Sequence, residues 1–231
     1  MQKLKKDTKL LSMCSTRIRP ELAAKMVDSF NETKSEGTEI VLYVWKDDPF
    51  VETYKKLLKG ENVIYGKKRF MIDVLNYIST EVYPGIDYYQ NICDDHLYLV
   101  KGWDKLYLEP LEKNNGWGIA YCKGVNAKHN PTAEIISGKI VRALGYYFYP
   151  EFRQFGGEPF IVEIGEAFGF FYYIEGDIIA HNCVGIGAME PDANHQFIYG
   201  EDVPHGLDAM DKWRKTRKEI DLLKIRKAQN E

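Results

Sequence analysis

The sequence predicts an α/β fold in which a mostly parallel sheet carries helices on both faces. Three observations predict it. From Leu10 to Tyr98, short runs rich in β-branched and aromatic residues alternate with stretches whose apolar residues recur at helical spacing, the order of β-α-β units. Gly, Pro, Asn and Asp punctuate the boundaries between these runs. A chain of 231 residues is long enough for one such domain with a full core and short for two.

The elements follow in order. Leu10 to Cys14 has the length of a buried strand and ends in Ser15-Thr16-Arg17-Ile18-Arg19-Pro20. Pro20 suits a first helical turn, and Leu22, Ala23, Met26, Val27 and Phe30 form an apolar stripe that runs toward Gly37. Glu39 to Trp45 is the clearest strand, followed by the loop Lys46-Asp47-Asp48-Pro49 and a helix from Phe50 to Leu58. Asn62 to Tyr65 reads as a brief strand and Met71 to Val82 as a third helix. Next comes a strand through Tyr89-Gln90-Asn91-Ile92-Cys93-Asp94-Asp95-His96-Leu97-Tyr98. Extended backbone there places the side chains of Asp94 and His96 on one face.

The second half is less regular. Gly102-Trp103-Asp104 opens a helix through Leu111, Trp117 to Cys122 reads as a strand, and Asn126 to Thr132 as a polar loop. A helix is expected over Ala133 to Leu144, and another from Phe155-Gly156-Gly157-Glu158-Pro159 to Ala167. Phe170 to Ile174 and Asp177 to Ala180 are strand-like and lead to His181. Gly185 to Gly206 has the length of a lid or flap, and Gly206 to Ala228 reads as one charged helix. These readings divide the chain into a domain over residues 1–205 and a basic amphipathic helix over 206–231.

Composition narrows the class. A net charge of −3 argues against a general nucleic-acid coat protein. Cys14, Cys93, Cys122 and Cys183 are widely spaced with no C-x-x-C pair, and read as free thiols in a reducing compartment. The basic N-terminus is not followed by a signal-length apolar run, so the chain is expected to be soluble and cytoplasmic.

In parallel sheets ligands bind outside the carboxyl ends of the strands. That rule gathers Thr16 and Arg17, Asp47 and Asp48, and Asp94 to His96 along one edge. Carboxylates with one imidazole suit Mg²⁺ or Mn²⁺ better than a closed zinc site.

The motifs and their order resemble GT-A glycosyltransferases, especially small family-2-like enzymes of phages and bacteria. Cys14-Ser15-Thr16-Arg17-Ile18-Arg19-Pro20 looks like the family's P-T-R-x-R-P strand end, with Cys14-Ser15 where Pro is usual. Asp47-Asp48 is similar to the acidic pair after the second strand, and Arg69 with Asn76 to the third-helix region that faces the nucleotide. Asp94-Asp95-His96 resembles the D-x-D metal motif in a D-x-H form, and Gly102-Trp103-Asp104 the G-W-D that follows it. Gly157-Glu158 looks like the start of the acceptor-side helix, and Ile179-Ala180-His181 like the late strand whose histidine completes the metal site. The likeness runs from Leu10 to Trp213, with a nucleotide-sugar half over residues 8–100 and an acceptor half over 101–205.

The resemblance implies transfer of a sugar from a nucleotide-diphosphate sugar, a UDP-sugar favoured, to an acceptor hydroxyl with inversion. Asp94, His96 and His181 are then the metal ligands for Mn²⁺ or Mg²⁺. Thr16, Arg17, Asp47, Arg69, Asn76, Asp94, Asp95 and Trp103 are the donor-binding residues, and Glu158 is the base that takes the acceptor proton. Each has a plainer reading: Asp47 as a turn former before Pro49, Trp103 as packing, His181 as a hydrogen-bonded strand end, Glu158 as a charge complementing a helix N-terminus. Arg19 reads as a surface residue, and Glu163 and Glu166 as solvated. The acceptor stays open among a glycan, a lipid-linked glycan and a nucleobase in DNA. A non-catalytic nucleotide- or glycan-binding domain is the competing reading. A sugar nucleotidyltransferase fits less well, because Ser15 to Arg19 contains no glycine for a G-x-G-x-R phosphate loop.

Overall fold

The computed structural model describes residues 4–123, 131–182 and 202–231. Its first half follows the expected alternation: β1 (Leu10–Thr16), α1 (Pro20–Thr33), β2 (Thr38–Trp45), α2 (Val51–Leu57), β3 (Val63–Gly66) and α3 (Met71–Tyr77). Helix α3 runs on into a wider π-helical turn over Ile78–Val82. Two strands come next, β4 (Tyr88–Ile92) and β5 (His96–Tyr98), in place of the single expected one. Residues 93–95 turn between them, so the extended backbone that would align Asp94 with His96 is not there.

The second half contains α4 (Trp103–Lys113), β6 (Ile119–Cys122), β7 (Thr132–Ser137), α5 (Gly138–Leu144), α6 (Gly157–Phe168), β8 (Phe171–Ile174) and β9 (Ile179–His181). It closes with α7 (Val203–Thr216) and α8 (Lys218–Gln229). The expected helix over Ala133 to Leu144 is half strand. Ile135 and Ile136 are β-branched, and β7 fills the slot between β4 and β6, where packing decides the conformation of a short apolar run. The single C-terminal helix is two, broken at Arg217 with φ −127. Most of the segment read as a lid lies outside the described residues, and its last residues already belong to α7.

The main sheet has seven strands in the order β3-β2-β1-β4-β7-β6-β8. Strands β3, β2, β1 and β4 are parallel, β7 runs against both of its neighbours, and β6 and β8 are parallel to each other. The chain moves outward from β1 through β2 to β3 and then returns to place β4 on the other side of β1. That reversal is a topological switch point, and it opens a crevice at the carboxyl ends of β1 and β4. A second, two-stranded sheet pairs β5 antiparallel with β9, with His96 opposite His181.

Alternation along β2 shows why the sheet is covered on both faces. Ile40, Leu42 and Val44 are buried with α1, α2 and α4 side chains, while Val41 and Tyr43 are buried with those of α3, α5 and α6. Helix α1 turns Pro20, Ala23, Met26, Val27 and Phe30 inward, as its stripe predicts.

The C-terminal helices are fastened by a buried carboxylate. Asp221 is fully buried and accepts from Trp213 Nε1 at 2.9 Å and from the Tyr146 hydroxyl. Arg217 and Lys224 stand 3.6 and 3.7 Å from its other oxygen. Glu163 of α6, expected in solvent, is tied to the same unit by Arg214 and Lys218, each at 2.7 Å. Replacing Asp221 with Ala strands two buried donors, so Asp221→Ala is expected to cost about 2–4 kcal/mol of stability. Urea unfolding of the two proteins measures it; an unchanged midpoint would show that the clamp does not hold the helices.

Candidate functional site

Strand β1 delivers Thr16 to the crevice, and the following loop delivers Arg17 and Arg19. Thr16 is buried; its hydroxyl donates to Asp94 Oδ2 at 2.6 Å and also meets the Tyr54 hydroxyl at 2.9 Å. Arg19, expected at the surface, is only 9% exposed and sets Nη1 3.2 Å from Asp94 Oδ1. Both oxygens of Asp94 are therefore engaged. Burial pushes its carboxyl up to about 6, against the pull of Arg19 and Thr16, with Asp95 adding to the rise.

The loop holding these residues is strained. Ile18 has φ +54, a left-handed conformation that is unfavourable for a β-branched side chain. Asp48 holds it there. Its Oδ2 accepts the Ile18 N–H at 2.8 Å while Oδ1 accepts the Phe50 N–H at 2.8 Å, so one carboxylate joins the loops after β1 and β2. Asp47, beside it, is exposed at the same edge.

A cleft at the carboxyl ends of β1, β2 and β3 is cationic and aromatic. The Arg17 guanidinium lies 4.8 Å from the Trp45 ring centroid, and Lys68 lies 5.1 Å from it. Trp45 Nε1 donates to the Arg69 carbonyl at 3.1 Å, and Ser15, Arg17, Trp45, Arg69, Phe70 and Gln154 line a small cleft. Arg69 itself pairs with Asp73 at 2.9 Å.

Two expected donor contacts are elsewhere. The Asn76 amide accepts the Tyr147 and Phe148 N–H groups at 2.8 and 3.0 Å and donates to the Phe148 carbonyl at 2.9 Å, so it clips α3 to the 147–148 backbone. Trp103 is fully buried among Phe30, Tyr98 and Tyr107 and has no face to offer a sugar. Its size and apolar surface made packing the stronger demand.

Cys93, Asp95 and His96 cluster at the turn after β4. One ligand-capable atom from each lies within 4.8 Å of the other two. Pairing of β5 with β9 adds His181, whose ring is 4.6 Å from that of His96 and whose Nε2 is 3.5 Å from Asp95 Oδ1. Burial holds both imidazoles neutral: His96 is depressed well below its ordinary value, with His181 adding to the effect, and His181 falls to about 4. Neutral imidazole is the ligating form. The buried His96 Nε2 has no hydrogen-bond partner among the described residues. A carboxylate, two neutral imidazoles and a thiol gathered here form a donor set that fits a divalent ion. Asp94 is not in that cluster, because Arg19 and Thr16 hold it on the other side of the turn.

Glu158 sits in the first turn of α6, after Gly156 in a left-handed conformation at φ +107. Burial pushes its carboxyl up to about 7. Beside it lies a residue that the sequence reading missed. Glu134 on β7 is 1% exposed, and its Oε1 is 3.4 Å from the Tyr147 hydroxyl. Burial, with the charge of Glu158 adding, raises Glu134 to about 8. Its segment was expected to be a helix; as a strand of the main sheet it buries Glu134. The signal was there in a lone Glu among Ala133, Ile135 and Ile136.

No protein-family model matches the chain, and no curated protein matches it. Solved structures do. A mannosyltransferase from Pyrobaculum calidifontis, PcManGT, in complex with GDP-Man and Mn²⁺, aligns with 95% of this chain and 73% of its own at a TM-score of 0.56 and 10% identity. Residues 1–349 of S. aureus TarS align with 74% of this chain at a TM-score of 0.55 and 10% identity. This chain spans about 60% of that TarS fragment. The same fragment has been solved with UDP, and that structure aligns at a TM-score of 0.53. The fold is GT-A. Among the described residues of this GT-A chain, no helix is long and apolar enough to cross a membrane.

The buried carboxyl of Glu134 makes stability depend on pH. Its folded value, about 8, lies above the ordinary 4.5, so its contribution is complete below pH 4.5 and is lost as pH rises through 8. Glu134→Gln removes that loss. The drop in stability between pH 5 and pH 9 should shrink by a few kcal/mol at most, at about 1.4 kcal/mol per pKa unit. Denaturant melts at the two pH values decide; an unchanged drop would show that Glu134 ionises freely.

Proposed function

We propose that the chain is a metal-dependent glycosyltransferase that moves a sugar from a nucleotide-diphosphate sugar to an acceptor hydroxyl with inversion. The observation that carries this reading is the Asp95, His96 and His181 cluster after β4, at the same carboxyl edge of the parallel strands as the cations around Trp45. The GT-A fold, and the nucleotide ligands bound to neighbours of that fold, support it.

In this reading Arg17, Lys68 and Arg69 face the nucleotide and its diphosphate, with Trp45 beneath the cations and Asp47 at the base or ribose edge. Asp95 with His96 and His181 holds a divalent cation, Mn²⁺ or Mg²⁺ in the sequence reading. Such a cation offsets the negative charge that grows on the departing diphosphate. Asp94 positions: tied to Arg19 and Thr16, it fixes the turn that presents Asp95. Glu158 accepts the proton of the attacking hydroxyl, and its raised carboxyl suits a base working near neutral pH. The donor is a nucleotide sugar, a UDP-sugar first, and the acceptor-side half over residues 101–205 carries the base.

The test is donor turnover, with and without Mn²⁺, across UDP- and GDP-sugars. Glu158→Gln should lower kcat by about 10²–10⁴-fold with little change in donor KM. Asp95→Ala should abolish metal-stimulated turnover. In the wild type kcat should fall as pH drops below about 7, where Glu158 takes up its proton. Tight nucleotide binding with no turnover of any donor would instead assign a non-catalytic binding domain.

A further inference from the structure

Cys93 stands directly before the acidic pair, at a position that the sequence alone reads as a buried free thiol. The fold gives it a different setting. The turn over residues 93–95 brings its sulfur into the cluster with Asp95 and His96, all three ligand-capable atoms lying within 4.8 Å of one another. Ligands around one tetrahedral ion, at bond lengths of about 2.0–2.3 Å, stand about 3.3–3.8 Å apart, so small side-chain rotations close the set. A further observation points the same way. The buried His96 Nε2 has no hydrogen-bond partner among the described residues. The Cys93 N–H lies 3.3 Å from His96 Nδ1; a metal on Nε2 puts the ring's proton on Nδ1, so that contact opens when the ion binds. His181, 3.5 Å from Asp95, stands ready as a fourth ligand.

We propose that Cys93 is a metal ligand and that its thiolate biases the site toward nitrogen- and sulfur-preferring ions such as Zn²⁺ and Co²⁺ over Mg²⁺. The inference rests on the metal reading of the site given above and refines which ion it takes. Carboxylate and water ligands select Mg²⁺ and Mn²⁺, whereas a thiolate with imidazoles selects softer ions. Binding converts the thiol to thiolate: the S–H bond breaks, a metal–sulfur bond forms, and one proton leaves to solvent with no change in oxidation state.

Metal-stripped full-length protein is titrated with Co²⁺, following near-ultraviolet sulfur-to-cobalt charge-transfer absorption and proton release in weak buffer. The wild type should show the band and release protons, and Zn²⁺ should quench the band while millimolar Mg²⁺ does not. Cys93→Ser should lose the band and bind Co²⁺ more weakly by at least about tenfold, the low end of what even an outer-shell partner contributes to a metal site. Cys183→Ser should keep the band. Loss of the band in Cys183→Ser and its retention in Cys93→Ser would overturn the assignment. So would Co²⁺ binding without a band, or an equal preference for Mg²⁺. Should Cys93→Ser fail to fold, cadmium-113 NMR of the wild type reports sulfur coordination directly, and a shift typical of oxygen and nitrogen ligands alone would refute it. Failure is separable from failure of the transferase reading. Donor turnover with Mn²⁺ but no thiolate band sinks only this inference, whereas a thiolate band in a protein that binds no nucleotide sugar sinks only the other.

Discussion

The site depends on one buried tie, Asp94 held between Arg19 and Thr16. Ionised carboxylates are expensive to bury, and this one stays buried because a guanidinium and a hydroxyl engage its two oxygens. The tie joins the ends of β1 and β4, the two strands between which the chain reverses direction in the sheet. With it in place, the turn after β4 sends Asp95 and Cys93 toward the minor sheet and leaves Asp94 behind. The same loop is held from the β2 side by Asp48, at the cost of a left-handed Ile18. Two carboxylates thus shape the crevice, Asp48 from the loop after β2 and Asp94 from the turn after β4.

Much of this was legible in the sequence, for identifiable reasons. The first half gave itself away because each strand is β-branched and apolar and each helix carries a clear stripe, so local preference and packing agree. The convergence of residues 16–17, 47–48 and 94–96 follows from the parallel order alone. What was not legible depended on turns and on partners far along the chain. Period-two reasoning aligned Asp94 with His96, and the turn at 93–95 undid it. Arg19 reads as surface until its partner 75 residues away is in place. Glu134 was hidden because two isoleucines and an alanine suit a helix as well as a strand, and the choice was made by the neighbouring strands. Asn76 and Trp103 were placed in the site by likeness, yet their side chains satisfy local packing and backbone hydrogen bonds instead.

Two buried groups of titratable side chains neighbour one another. On one side are the neutral histidines and a thiol; on the other, Glu134 and Glu158 share a poorly solvated space, and the charge of Glu134 also acts on Cys93. The C-terminal helices hold α6, and with it Glu158, through Glu163. Glu158 is therefore mounted on an element that α7 and α8 brace.

The central claim is that a divalent ion and a diphosphate meet at the turn after β4. A crystal structure of the chain grown with UDP and Mn²⁺, with anomalous data collected at the manganese edge, tests it most directly. The account predicts one strong anomalous peak bordered by Asp95, His96 and His181, with diphosphate oxygens on its open side and the Asp94–Arg19 pair intact. A manganese peak ligated by Asp94 with Arg19 displaced, or UDP bound away from the carboxyl ends of β1 and β4, would contradict it.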